Sequence, residues 1–243
     1  MGGIEIMFKR LNSALLIACV SILILANGEL QAAESNGKAN YKNAICTARE
    51  TIWKAITSGK GSGASIAIMD RGKIAYSEGI GVANRSENRP VDKNTRFNIG
   101  STSKMFVAAA ILMLVDEGKV ALDGSVAKYI PEFKMKDKRY KEITVRMLFN
   151  HSSGLPGTTF FPAYKSGGDP HEILLETLKD ANLKHDPGGM SIYCNDGFTL
   201  AEIIVEKVSG KKFLDFLKER IFDPLEMRNT SASIGEIGMC QRL

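Results

Sequence analysis

The sequence of 243 residues has little cysteine, little proline and few aromatic residues: 4 Cys, 7 Pro and 7% aromatic side chains. So few cysteines exclude a disulfide-rich miniprotein, and 23 Gly without a repeat exclude a collagen-like chain. Charge of one sign is not in large excess, because 32 Lys and Arg oppose 27 Asp and Glu. The resulting net charge of +5 gives no nucleic-acid-binding footprint. The composition therefore predicts an ordinary globular protein, long enough to bury a core without metal or disulfide.

The first thirty residues differ from the rest of the sequence. Lys9 and Arg10 precede an apolar run at 14–26, and the small residues Ala32 and Ala33 suit cleavage by signal peptidase. The apolar run is shorter than the roughly 20 residues that a membrane-spanning helix needs. We therefore expect a signal peptide, export to the periplasm or the medium, and no stable membrane span after the signal is removed.

The remaining sequence contains no repeat and no second linker. We predict three segments: a signal peptide at 1–33, a disordered tail at 34–43 and a single domain at 44–243. Three cysteines follow the signal, namely Cys46, Cys194 and Cys240. Because that number is odd, we predict no disulfide.

Apolar spacing predicts the main elements of the domain. Residues 44–56 have the helical pattern of an amphipathic helix that packs against the core, and residues 65–82 have the pattern of a β-hairpin around Asp70-Arg71-Gly72. Residues 105–115 are apolar on every side, which predicts a helix buried on every side. Further helices are predicted at 144–149, 171–181, 200–208 and 213–221. Strands followed by a long helical stretch indicate an α+β domain.

Chemistry is concentrated at the start of the predicted buried helix. Ser101 and Lys104 are three residues apart, so a helix places a hydroxyl and an amine on the same side one turn apart. A serine hydroxyl becomes a nucleophile when a neighbouring base takes its proton, and a lysine can act as that base. The helix N-terminus adds free N–H groups where an oxyanion would develop. The alternative is a serine that only caps the helix.

The spacing Ser-x-x-Lys is not specific by itself. It also starts at Ser35, Ser125 and Ser209, and only at Ser101 does it lie where a loop meets a helix predicted to be buried. A second candidate is Tyr193 with Asn195: a tyrosine whose pKa is lowered by a lysine can act as a base, and an amide can bind a substrate carbonyl. The alternative for Tyr193 is a partly buried structural tyrosine.

Three other features are weaker candidates. The basic run at 134–141 is interrupted by Asp137, so we interpret it as a solvated loop rather than a binding patch. His171 and His185 have no Cys or carboxylate at ligand spacing, which gives no metal site. His151 lies in a turn between helices, where we expect a structural, hydrogen-bonded histidine rather than a catalytic base.

Three segments carry a family resemblance: Gly-Ser-Thr-Ser-Lys at 100–104, Met-Leu-Phe-Asn-His-Ser-Ser-Gly-Leu-Pro at 147–156 and Tyr-Cys-Asn at 193–195. Their order resembles that in serine β-lactamase-related proteins, the group of class C β-lactamases, D-alanyl-D-alanine carboxypeptidases and related esterases. The stretches at 206–210 and 221–227 are also similar to that family. The resemblance implies a β-lactamase/transpeptidase-like α+β fold, with an antiparallel sheet flanked by helices plus a helical subdomain.

The same resemblance implies roles for individual residues. Ser101 would be the acylated nucleophile, Lys104 and Tyr193 the acid/base pair, and Asn195 a substrate contact. The Ser101 N–H would form half of the oxyanion hole. Cys194 stands where the family often has serine, and we expect it to be a spectator.

The third motif of the family does not occur after Tyr193. That motif is Lys or His, a small residue and Gly on a strand that supplies the second oxyanion N–H. Lys165-Ser166-Gly167 has matching letters but precedes Tyr193, so we interpret it as a coincidence. The resemblance therefore implies a truncated sequence in which the C-terminal strands of the sheet are missing.

Two functions remain open from the sequence. One is a secreted serine hydrolase that acts on a β-lactam, a D-Ala-D-Ala peptide or a small ester. The other is a non-catalytic remnant or a cell-wall-binding module. In either case we expect no cofactor and no nucleic acid, and the expected partner is a small-molecule or peptidoglycan-derived ligand.

Overall fold

The computed structural model describes residues 40–157 and 169–231. The predicted signal peptide, Cys240 and the segment Lys165-Ser166-Gly167 lie outside the described residues. The chain divides into two compact units, with the boundary between Ala64 and Ser65. In the two described ranges, every helix is too short or too polar to span a membrane.

The first unit contains helix α1, Lys42–Thr57. The predicted helix is therefore present, and the half-buried positions within it are those of the predicted apolar stripe, Ile45, Ala48, Ile52, Ala55 and Ile56. No residue of α1 is fully buried, and its packing against the core stays a prediction. Each of these side chains stays partly open to solvent.

The predicted hairpin forms a three-stranded sheet with one additional short strand. Strand β1 is Gly63–Asp70, β2 is Lys73–Asn84 and β3 is Arg89–Pro90, in the order β1-β2-β3. The turn residues Arg71 and Gly72 both have positive φ, 48° and 75°. Two such residues form the tight turn whose twist matches that of antiparallel strands. Strand β3 pairs with β2 antiparallel, with Pro90 opposite Val82.

The second unit is mainly helical after β3. Its helices are α2 (Lys104–Asp116), α3 (Val126–Tyr129), α4 (Val145–Phe149), α5 (Pro170–Lys179), α6 (Asp196–Ser209) and α7 (Phe213–Leu217). Within residues 65–157 and 169–231, two 3₁₀ helices, Gly100–Ser103 and Lys138–Glu142, and one π turn, Lys218–Phe222, are also present. All four additional predicted helices are present. Helix α6 begins earlier than predicted, at Asp196, and the last prediction divides into α7 and the π turn.

The hydrophobic core lies around the packed pair α2 and α6. Helix α2 buries four residues, Val107, Ala110, Ile111 and Leu114, and α6 buries six apolar ones in its first ten positions. The prediction that α2 is buried on every side was wrong, because Met105 is 40% exposed and Leu112 is 42% exposed. These two residues are seven positions apart, so they share one helix face, and the described elements leave that face open.

The α+β class is confirmed, with a small antiparallel sheet and a helical subdomain. The arrangement positions the start of α2 and the stretch before α6 for the site described next. Both segments belong to the helical part of the second unit, and the packing of α2 on α6 sets their relative position.

Candidate active site

The predicted nucleophile lies in a tight turn at the start of α2. Ser101 belongs to the 3₁₀ helix Gly100–Ser103, and α2 continues directly from Lys104. Gly100 has a φ of +53°, and its N–H donates to Asn98 Oδ1 over 2.8 Å, which fixes the entry into the turn. Lys104 Nζ donates to Ser101 Oγ over 3.1 Å. The predicted one-turn spacing therefore brings the amine and the hydroxyl into a hydrogen bond.

Tyr193 reaches the same hydroxyl from a distant part of the chain. Its OH donates to Ser101 Oγ over 2.7 Å, although the two residues are 92 positions apart. Ser101 is exposed, Lys104 is half-buried and Tyr193 is 55% exposed. The structure therefore places the three predicted catalytic side chains around one oxygen atom that is open to solvent.

Lys104 also shapes the electrostatics of the tyrosine. Its ammonium lies 5.0 Å from the centre of the Tyr193 ring and 5.4 Å from the centre of the Phe198 ring. Partial burial raises the pKa of Tyr193, but hydrogen bonds with Lys104 and Ser101 and the Lys104 charge lower it more. The net effect is a pKa below the ordinary value of 10.0, which favours the phenolate, the form that can accept a proton.

The predicted substrate contact is placed near Tyr193 but not in this hydrogen-bonded group. Asn195 is half-buried at the N-cap position of α6, and its side chain makes no capping hydrogen bond. Its carbonyl accepts from the N–H groups of Phe198 and Thr199. Its backbone is thus fixed by the first turn of α6, and its role in binding stays a prediction.

The stretch that carries Tyr193 is irregular and is bound to the loop after α4. Three backbone hydrogen bonds join the two: Lys184 N to Gly154 O at 2.8 Å, Gly188 N to Ser152 O at 2.8 Å and Ile192 N to His151 O at 2.9 Å. Ser191 Oγ adds a fourth to Asn150 O at 2.8 Å. The second predicted motif therefore forms the support on which the Tyr193 segment lies.

An arginine from the basic run strengthens the same support. Arg139 donates to Asp137 at 3.0 and 2.6 Å and also contacts Asp186. Interpreting the run as wholly solvated was therefore wrong for this residue, because Arg139 is half-buried between the two carboxylates. Hydrogen bonds from the Arg139 side chain, together with its charge, hold the pKa of Asp137 well below its usual range. A single arginine among lysines, next to an aspartate, was the signal available in the sequence.

His151 and Cys194 lie beside the group rather than within it. His151 Nδ1 accepts from the Cys194 N–H at 3.2 Å, as expected for a structural, hydrogen-bonded histidine, and the His151 ring centre is 4.7 Å from that of Tyr193. Cys194 is buried, and burial together with the Asp196 charge raises the pKa of its thiol. A thiol with a raised pKa is a poor nucleophile at neutral pH.

The other histidines do not form a metal site in the described ranges. His171 lies between two carboxylates, with Nε2 3.4 Å from Glu202 and Nδ1 3.6 Å from Glu206. No group of three or more His, Cys, Asp or Glu residues there is arranged to hold a metal ion.

Comparison with known proteins decides the family. The family model described as Beta-lactamase matches residues 47–239, which is most of the chain. The chain belongs to the beta-lactamase family. The resemblance inferred from the three motifs is thereby confirmed, and the fold of this beta-lactamase-family chain is β-lactamase/transpeptidase-like.

Named relatives include penicillin-binding proteins. The chain is 31% identical to Penicillin-binding protein 4* of Bacillus subtilis (strain 168) over 173 residues, which is 68% of this chain and 37% of that protein. The octameric penicillin-binding protein homologue from Pyrococcus abyssi is 31% identical, with a TM-score of 0.65 over 75% of this chain and 43% of that one. A class C beta-lactamase in complex with cefoxitin, 24% identical, matches the fold with a TM-score of 0.69 over 82% and 55%. The chain thus spans little more than a third of the length of the B. subtilis relative.

Proposed function

We propose that this chain is a serine hydrolase that transfers the acyl group of an amide or ester to Ser101 and then to water. One observation supports this most strongly: Ser101 Oγ lies within hydrogen-bond distance of both Lys104 Nζ and the Tyr193 hydroxyl. A nucleophile needs a base within such reach, and the lowered pKa of Tyr193 makes its phenolate available nearer to neutral pH. Membership of the beta-lactamase family supports the same reaction class.

In the proposed acylation, Ser101 Oγ attacks the carbonyl carbon of the substrate while its proton passes to the Tyr193 phenolate. Lys104, as an ammonium, stabilises that phenolate before the transfer. The bond from the carbonyl carbon to the leaving nitrogen or oxygen then breaks, and the leaving group takes the proton from Tyr193. The product of this step is an ester between Ser101 and the acyl group.

Deacylation reverses these roles with water as the nucleophile. Tyr193 takes a proton from the water molecule, the water oxygen attacks the ester carbon, and Ser101 Oγ leaves with the proton that Tyr193 returns. The oxyanion of each step develops at the start of α2, where the positive end of the helix dipole favours negative charge. We assign the Ser101 N–H as one donor and Asn195 as a substrate contact.

The substrate class follows from chemistry that a β-lactam, a D-Ala-D-Ala peptide and a small ester share, since each offers a carbonyl with a leaving group. A β-lactam is the first probe, because the B. subtilis relative is named as a penicillin-binding protein.

We also propose that the chain is exported after removal of residues 1–33. Protein recovered outside the cytoplasm should then begin after Ala33, and retention of residues 1–33 would contradict export by this signal.

The test is turnover of p-nitrophenyl acetate, nitrocefin and a D-Ala-D-Ala peptide by the wild-type chain and two matched variants. Ser101→Ala removes the proposed nucleophile, and Ser103→Ala removes an exposed hydroxyl from the same turn that makes no capping hydrogen bond. We expect Ser101→Ala to abolish turnover and Ser103→Ala to retain it. If no substrate is turned over and none acylates the wild-type chain, the proposal is wrong and a non-catalytic role is favoured.

A further inference from the structure

The position of the Tyr193 hydroxyl is set by an irregular segment. From Ala181 to Asn195 the backbone forms no helix and no strand, so no regular hydrogen-bond ladder holds it. A hydroxyl that must approach within 2.7 Å of Ser101 Oγ therefore depends on contacts from outside its own segment. The loop after α4 supplies those contacts.

His151 makes three contacts around Tyr193: one with the residue before it in the chain, one with the residue after it, and one with its ring. Its carbonyl accepts from the N–H of Ile192 at 2.9 Å, immediately before Tyr193. Its Nδ1 accepts from the N–H of Cys194 at 3.2 Å, immediately after. Its ring centre lies 4.7 Å from that of Tyr193, with 38° between the planes. One residue thus fixes the backbone on both sides of the tyrosine and limits the movement of its ring.

Few residue types can make these contacts together. His151 has a φ of +60°, a region where His, Asn and Asp are enriched among non-glycine residues. Its side chain must present an acceptor two bonds from Cβ and a flat ring to Tyr193. A neutral imidazole provides both. Burial and the Lys104 charge lower the pKa of His151, which favours the neutral imidazole. The Cys194 N–H that points at Nδ1 then favours the tautomer whose proton is on Nε2.

We propose that His151 is a positioning residue that holds the phenol of Tyr193 against Ser101 Oγ. This inference rests on the proposed function, because it names a residue that supports the proposed acid/base pair. His151 itself transfers no proton in the reaction. Its effect on rate is exerted through the position of Tyr193.

The experiment compares three substitutions in the full chain. His151→Leu removes the acceptor and the ring. His151→Asn keeps an acceptor at the same two-bond distance from Cβ and tolerates positive φ. Ser191→Ala is the matched control, because it removes another side-chain hydrogen bond between the same two loops without touching Tyr193. Each variant is first tested for a cooperative thermal melt.

Two readouts are measured on each variant. The first is the rate of Ser101 acylation by p-nitrophenyl acetate under single-turnover conditions. The second is the pKa of Tyr193, from NMR titration of ¹³C-labelled tyrosine with the signal assigned by Tyr193→Phe. The second readout does not require activity, so it tests positioning even if the chain does not acylate.

We expect His151→Leu to slow acylation by about 10- to 100-fold, since a displacement of about 1 Å can cost about 100-fold. The pKa of Tyr193 should rise toward its ordinary value in the same variant. His151→Asn should slow acylation less than His151→Leu and keep the Tyr193 pKa lower, because it retains the acceptor but not the ring. Ser191→Ala should stay within about threefold of the wild type, with the Tyr193 pKa still low. If His151→Leu does not fold, His151→Gln replaces it, because its amide oxygen is one bond farther from Cβ, and the same changes are expected.

The outcomes separate the two ideas. If His151→Leu leaves both readouts unchanged, the inference is overturned. It is also overturned if Ser191→Ala produces the same changes, because general loosening of the loops would then explain them. If the wild type does not acylate but the Tyr193 pKa responds to His151→Leu and not to Ser191→Ala, positioning is supported and the proposed hydrolase function is wrong.

Discussion

Substitution of Gly154 by alanine perturbs the joint between the loop after α4 and the segment that carries Tyr193. Gly154 has a φ of +76°, and a Cβ placed there would lie 2.4 Å from the carbonyl oxygen of His185. That oxygen belongs to the backbone and cannot move away alone. The same glycine accepts the Lys184 N–H at 2.8 Å, so a shift would also stretch this hydrogen bond.

The expected loss of stability has two parts. Left-handed backbone costs a non-glycine residue roughly 1–2 kcal/mol, and forcing an extra carbon into packed surroundings costs roughly 1–3 kcal/mol. Gly154→Ala should therefore lower the free energy of unfolding by about 2–5 kcal/mol. Gly210→Ala is the matched control, because Gly210 has a φ of +71° but no atom within 4 Å of the added Cβ. Only the first cost applies there, about 1–2 kcal/mol.

Urea denaturation followed by circular dichroism measures both variants against the wild type. The additional cost at Gly154 should also lower the Tm further, by about 2–4 °C for each additional kcal/mol. Acylation of Ser101 should slow in Gly154→Ala and not in Gly210→Ala, because only the first displaces the support of Tyr193. Equal destabilisation by the two substitutions, or unchanged acylation in Gly154→Ala, would refute this reasoning.

Two further predictions concern titrating groups. Tyr193→Phe should slow acylation of Ser101 by about 100-fold or more, the usual contribution of a general base. In the wild type the acylation rate should rise with pH and level off above the pKa of Tyr193, which is lowered to below 10.0. Tyr193→Phe should lose this rise. A rise that persists in the variant would assign the base elsewhere. Burial lowers the pKa of His171, but Glu202 and Glu206 raise it more, and the net shift is upward from 6.5. Because the folded-state pKa is raised, this stabilisation is complete below about pH 6.5 and is lost as the pH rises through the raised value. Urea unfolding at several pH values should show that decrease in the wild type and not in His171→Gln, and parallel pH profiles of the two would contradict the assignment.

The candidate nucleophile and its lysine could be predicted because helical geometry relates them locally. Ser101 and Lys104 are one turn apart in any helix that begins there, and the observed 3.1 Å hydrogen bond follows from that spacing. Tyr193 could be associated with them only through the resemblance, since no local rule joins residues 92 positions apart. The α+β class was likewise predictable from the hairpin pattern followed by helical periods.

Burial and long-range loop contacts could not be predicted in this way. The apolar sequence of α2 does not say which faces its neighbours cover, so the exposure of Met105 and Leu112 appears only in the structure. The pairing of Arg139 with Asp186 and the contacts of His151 depend on irregular backbone, for which the sequence has no periodic signal. These residues nevertheless hold the Tyr193 segment in place.

Mapping of the covalent acyl adduct tests the central claim most directly. The chain is mixed with p-nitrophenyl acetate or a penicillin, quenched in acid and digested, and the modified residue is identified by mass spectrometry. We expect a single adduct on Ser101, absent in Ser101→Ala and formed more slowly in Tyr193→Phe. An adduct on Ser103 or Cys194, or undiminished labelling of Ser101→Ala, would contradict the claim that Ser101 is the nucleophile served by Lys104 and Tyr193.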